Sequence, residues 1–176
     1  MHRNYSGAVT VTTRRTMKIP GTAERLRMPL WQRSQARMRE RFGFDLAAPD
    51  AAAQATKLLT EHGDCDTHLL HAAVLATRGD NAAALAAAER AAALDANSAR
   101  AQTTLATLLV QAGRLPEGLQ HALHAAELDG TDPQVLFNLG LAQHASGNAA
   151  GAAVTFNRAA ELAGIQPVPR WQIWRR

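Results

Sequence analysis

Three glycines, Gly79, Gly113 and Gly147, stand 34 residues apart, and no other feature of the chain limits its fold so tightly. Each closes one apolar-periodic stretch and precedes another of similar length. A fixed period of this size marks a stack of small supersecondary units, and 34 suits a helix–turn–helix unit. Three regular units follow, 65–98, 99–132 and 133–166. In each, a first helix runs to the glycine and a second ends near a polar turn. Those turns are Asp95-Ala96-Asn97-Ser98, Asp129-Gly130-Thr131-Asp132 and Ala163-Gly164. Pro133 opens the third unit at the first helical position, where its missing N–H costs nothing.

Composition agrees with a stack of slim helices. The apolar fraction is 47% but aromatics are only 5%, and alanine is abundant. Alanine is the best helix former. Alanine-faced helices approach closely and bury little area each, so a layered stack fits better than one large core.

The net charge of +4 conceals an asymmetry: about +8 over residues 1–44, −7 over 45–165 and +3 over the last eleven. The repeat region is acidic and therefore lacks the basic face that a nucleic-acid-binding fold requires. The single cysteine, Cys65, makes a reducing, cytoplasmic setting the default expectation. No apolar run reaches the length of a membrane span. The Arg-rich, acid-poor first 44 residues also match the look of an organellar import segment, and Met17 and Met28 leave the true start open.

Ahead of the repeats, residues 1–28 are low in apolar content and broken by Pro20-Gly21, so disorder is expected there. Pro29 is expected to open a helix over 29–42 that puts Trp31, Met38 and Phe42 roughly on one side, with Arg33, Arg37, Arg39 and Arg41 around the rest. This helix reads as a cap on the open end of the stack, or as a basic amphipathic element for an anionic surface. Pro49-Asp50 offers a stop and cap for a helix over 50–62, which Gly63 ends. Together 29–64 reads as a degenerate helical hairpin or N-terminal cap. After the repeats, Pro167 and Pro169 stop further helix. The tail Trp171-Gln172-Ile173-Trp174-Arg175-Arg176 reads as a C-terminal cap or a docking motif. Trp31, Arg37, Arg41, Trp171 and Trp174 are thus the candidates for docking or membrane contact.

On these residues the three units resemble tetratricopeptide repeats. In the third, Leu136, Leu139, Gly140, Gly147, Ala152, Phe156 and Ala159 match the family's bulky, leucine, small, turn-glycine, small, aromatic and small positions. Gly164 stands where the family often has proline. The second unit matches with Leu105, Ala106, Gly113, Gly118 and Ala125, but Ala122 replaces the aromatic. The first matches with Ala72, Gly79, Ala84 and Ala91, with His71 for leucine and Ala88 for the aromatic. The resemblance implies an all-α solenoid coiled into a right-handed superhelix.

It further implies a concave groove lined by the first helices, at Asp66, Leu69, Ala73, Ala76 and Thr77, then Arg100, Thr103, Thr107, Val110 and Gln111, then Gln134, Phe137, Leu141, His144 and Ala145. Leu69, Val110, Phe137 and Leu141 would give apolar contacts, and Arg100, Gln111 and His144 hydrogen-bond donors, suiting an extended peptide or a short helix. The Lys and Asn clamp of the family's chaperone-tail binders is absent. The expected function is a non-enzymatic adaptor or scaffold with a protein partner and no cofactor or small-molecule substrate. The alternatives are a small chaperone, resembling the class II chaperones of type III secretion, and a membrane- or nucleic-acid-associated factor using the basic N-terminal segment.

Catalytic and metal chemistry find little support. His68/His71 and His121/His124 share a three-residue spacing, which can place two imidazoles on one helix face, but two imidazoles alone do not complete a metal site and none is expected. Cys65 lies at a helix start, a position that can lower a thiol pKa, yet no clear base accompanies it.

Overall fold

A computed structural model describes residues 21–43 and 48–166. These form eight helices: α1 Gly21–Phe42, α2 Ala51–His62, α3 Cys65–Thr77, α4 Asn81–Leu94, α5 Ala99–Gln111, α6 Leu115–Leu128, α7 Pro133–Ala145 and α8 Ala149–Ala163. Helices α3/α4, α5/α6 and α7/α8 are three stacked hairpins. Their first helices are 13 residues long each and begin at Cys65, Ala99 and Pro133.

The glycine turns are built alike. Gly79, Gly113 and Gly147 have φ of +84°, +80° and +86°, a region that side chains with a Cβ rarely adopt. In each turn the glycine N–H reaches back to a carbonyl of the preceding helix, and the next N–H reaches one residue further. The first pair is Gly79 N–H to Ala76 O at 3.1 Å and Asp80 N–H to Leu75 O at 3.0 Å. This double bond pattern satisfies carbonyls that the helix end would otherwise orphan. Asp64, Ser98 and Asp132 then cap the three first helices through their side chains, covering N–H groups at the other end.

Packing between helices follows the small residues. Ala88 and Ala122, at the aromatic position, are buried. Ala88 packs among Leu105, Leu108 and Leu109, and Ala122 among Val110 and Leu139. Neighbouring first helices supply the bulk that these alanines lack. In the third hairpin Phe156 itself is fully buried, its ring tilted at 53° to that of Phe137 with centroids 5.8 Å apart.

The N-terminal part differs from expectation. Helix α1 begins at Gly21, so residues 21–28 are helical; only 1–20 of the segment read as disordered fall outside the described residues. Pro29 therefore lies inside the helix rather than opening it, and it cannot donate to the carbonyl of Arg25. Nor does α1 form a hairpin with α2. It packs on α8 and α7 of the last hairpin, while α2 packs on α3. The reason is chemical. Ala23, Leu26 and Leu30, spaced on one helical face, find an apolar surface on the last hairpin and are almost fully buried there. Helix α2 ends at Gly63 as anticipated (φ +61°). Asp50 does not cap it through its side chain, and its carboxylate instead accepts from Gln54 at 2.7 Å.

Candidate functional site: the inner face and its α1 contact

The first helices α3, α5 and α7 place the expected groove residues in very different surroundings. Leu69 is 5% exposed, packed with Ala91 and Ala101. Val110 is 6% exposed, packed with Ala122, Leu139 and Ala142. Both fill the space between successive hairpins, so they are core rather than groove contacts. For Val110 the reason is that Ala122, at the aromatic position, leaves room that its side chain occupies; Leu69 fills the gap beside Ala91 and Ala101. Thr103 is also buried, its hydroxyl donating to the Ala99 carbonyl at 2.7 Å, and Thr107 donates to Thr103 O at 2.9 Å. Ala73, Gln111, Leu141 and His144 are half-buried, and Arg100 is exposed. Two atoms on neighbouring first helices, Gln111 Nε2 and His144 Nδ1, are buried without a hydrogen-bond partner among the described residues.

Phe137 is buried for a separate reason. It shares its cluster with Ala23, Leu26 and Leu30 of α1, and Leu141 borders that cluster. Beyond this apolar half, α1 continues with three arginines on the same stripe. The Arg33 guanidinium donates to the Ala163 carbonyl at the end of α8 (3.2 Å). Arg37 pairs with Asp132, the N-cap of α7, at 3.7 Å. Arg41 pairs with Asp66 in the first turn of α3, and the same carboxylate takes Arg100 at 3.0 Å. At its end Phe42 packs against the α2/α3 cluster of Ala51, Ala55, Leu70 and Val74. One helix thus bridges the last hairpin to the first. Arg37 and Arg41, expected to face an outside surface, are engaged by the acidic repeats. Their partner carboxylates belong to the region whose net charge is −7, opposite to their own. Trp171 and Trp174 lie outside the described residues, as does the side chain of Trp31.

His121 serves packing. His121 Nδ1 lies 2.7 Å from Gln102 Oε1, and Gln102 Nε2 donates to the Ala96 carbonyl at 2.8 Å. Because an amide oxygen only accepts, His121 carries its proton on Nδ1 in this bond. The pair ties α5, the preceding inter-repeat turn and α6 together. Burial pulls both His121 and His68 below the ordinary imidazole value, with Arg90 adding to the effect on His68. Cys65 goes against expectation: burial pushes its thiol up, outweighing the hydrogen bond with Ser98, so it is a poorer nucleophile than a free cysteine.

A pH dependence follows from these shifts. An imidazole whose folded pKa is depressed contributes stability above its ordinary value, and that contribution is lost as pH falls through the folded value. Asp64, Glu117 and Asp129 are also depressed, held by the Thr67 N–H, by Arg114 and by Thr131 respectively. Their contributions begin to fall only near the ordinary carboxylate values of about 4. Between about pH 6.5 and 4.5 the loss belongs to His68 and His121 rather than to these carboxylates. Thermal melts should show Tm falling by a few degrees from pH 7 to pH 5, and the His68→Gln/His121→Gln double variant should flatten that slope. A slope unchanged by the double substitution would refute the assignment.

No family model matches the sequence, and a search of curated proteins found no match. Solved structures do match. A crystal structure of MamA superposes with a TM-score of 0.54 at 19% identity, over 65% of this chain and 68% of MamA. MamA 41-end from Desulfovibrio magneticus RS-1 gives 0.56 at 17% identity, over 81% of this chain and 76% of that one. YrrB, a TPR protein with an unusual peptide-binding site, gives 0.54 at 21% identity, over 63% of this chain and 58% of YrrB. At such identities the likeness is one of fold: the chain is an α-solenoid of tetratricopeptide-like hairpins. Among the described residues no helix is long and apolar enough to cross a membrane.

Proposed function

We propose that this chain is a non-enzymatic, cytoplasmic protein-interaction module, an adaptor or scaffold that receives a helix or peptide segment on the inner face of its first helices. The observation that carries this reading is the pair of buried nitrogens, Gln111 Nε2 and His144 Nδ1, on adjacent first helices, which have no hydrogen-bond partner among the described residues. An unsatisfied buried polar group costs about 1–3 kcal/mol, and a ligand backbone offers the missing partners. Exposed Arg100 and half-buried Leu141 lie on the same set of helices and supply a cation and an apolar anchor. The neighbour YrrB, with its peptide-binding site, supports the same class of role. The reading as a membrane- or nucleic-acid-associated factor is weakened by the engagement of Arg37 and Arg41 with Asp132 and Asp66.

The test is selection of binders from a displayed peptide library on the purified full chain, followed by the variants Leu141→Asp and Arg100→Glu. Selected peptides should lose at least about tenfold in affinity on Leu141→Asp, the size of effect expected when one anchor is lost. Peptides that bind wild type and both variants alike would place the binding surface elsewhere.

A further inference from the structure

Helix α1 presents one continuous stripe toward the repeats. Ala23, Leu26 and Leu30 form its apolar half, and Arg33, Arg37 and Arg41 its basic half. The surface beneath is ordered in the same way. Phe137, Leu141 and the α8 residues Ala160 and Ala163 receive the apolar half. The carbonyl end of α8, Asp132 and Asp66 receive the arginines in sequence. Asp66, Phe137 and Leu141 are all positions at which the repeat pattern expects a ligand.

We propose that α1 is the built-in occupant of this surface, and that the surface's partner is a basic amphipathic helix that displaces α1. The displacing helix presents the same order of side chains: an apolar i, i+3, i+7 stripe, then Arg or Lys at i+10, i+14 and i+18. This deepens the reading of the chain as a helix- or peptide-binding module and rests on it.

The physical case is that α1 is held well enough to fold back and loosely enough to leave. The described apolar contact of α1 with this cluster is made by Ala23, Leu26 and Leu30. The side chains of Arg37 and Arg41 remain 50% and 54% exposed in their ion pairs, so salt screens them. Pro29 removes one helical hydrogen bond from the interior of α1. Against these weaknesses stands the covalent tether, which keeps α1 at high effective concentration. A partner in trans must therefore either bind more tightly or meet a chain whose own helix has been released.

The experiment uses a fluorescently labelled synthetic peptide of residues 21–42 and the full-length protein, read by anisotropy. The receptors are wild type, Leu26→Asp/Leu30→Asp, which releases the apolar half, and Arg37→Glu/Arg41→Glu, which releases the basic half and leaves the leucines in place. Far-UV circular dichroism and a cooperative melt confirm that each receptor keeps its hairpins folded. The peptide is expected to bind both variants at least about tenfold more tightly than wild type, the gain from removing an internal competitor. Raising NaCl from about 0.05 to 0.5 M should weaken that binding. A peptide carrying Glu at the three arginine positions should not bind. Equal affinity for wild type and the folded variants overturns the proposal. So does failure to bind any of them, or a dimer by light scattering in which two chains exchange α1. If library-selected peptides still depend on Leu141 while the 21–42 peptide shows no gain on release, the binding-module reading stands and the role given to α1 falls.

Discussion

Phe156→Ala is expected to lower stability by about 3–5 kcal/mol in urea denaturation, the usual cost of removing a buried phenylalanine. Its ring is fully buried. It packs on Phe137 and belongs to the cluster that also holds Leu26 and Leu30 of α1. One side chain thus joins α7, α8 and the N-terminal helix. The other two hairpins have alanine at the equivalent position, Ala88 and Ala122, so no comparable ring shares the load. The loss should be spatially graded. Hydrogen exchange should rise first in α1 and α8, with α3 and α4 following only through global unfolding. A melt within 0.5 kcal/mol of wild type would mean that Phe156 is not the keystone of this end.

The repeat portion was legible because its signals are local and occur three times. The glycine turns, the caps Asp64, Ser98 and Asp132, and the small residues Ala84, Gly118 and Ala152 each act within one hairpin, and their spacing exposes them. The seat of α1 was not legible, because it depends on contacts between residues separated by more than a hundred positions, as from Arg33 to Ala163. No periodicity reports such a contact. Pro29 added a misleading signal, since proline at the first turn of a helix is far commoner than proline within one. The stripe that docks, Ala23 to Arg41, is also rotated about one residue from the face marked by Trp31, Met38 and Phe42. The groove was legible only in part. The repeat pattern says which positions belong to first helices, but it does not say how deeply an alanine-faced neighbour buries them. Leu69 and Val110 were lost to the core in this way, and Phe137 to α1. Cys65 shows the same limit in electrostatics: its place at a helix start suggested a lowered pKa, and its burial decided otherwise.

Gly140→Ala tests how tightly the third hairpin is closed, and its sign is informative. In the interior of a helix, alanine is favoured over glycine by about 1 kcal/mol, so without steric conflict the substitution would stabilise. Here a Cβ would stand 2.6 Å from Phe156 Cε1 and 2.8 Å from Cδ1. The ring is enclosed by Phe137, α1 and the alanines of α8, which leaves it little room to retreat. A net destabilisation of about 1–3 kcal/mol is therefore expected, the range for overpacking a filled core. The cause is separable by a double-mutant cycle. In a Phe156→Leu background the smaller side chain vacates the space, so Gly140→Ala should cost at least about 1 kcal/mol less than in wild type, a coupling of the size seen between residues in contact. Gly118→Ala provides the contrast. Its Cβ would meet not only Val110 Cγ2 at 2.7 Å but also the Ala106 carbonyl and the Val110 backbone nitrogen, both at 3.1 Å. Helix backbone cannot yield as a side chain can, so shortening Val110 to Ala should rescue Gly118→Ala less completely than Phe156→Leu rescues Gly140→Ala. Equal rescue at both sites would show that the two hairpins are closed by side-chain packing alone. Unequal rescue would show that in α5/α6 the missing aromatic has been replaced by direct approach of one helix backbone to the other.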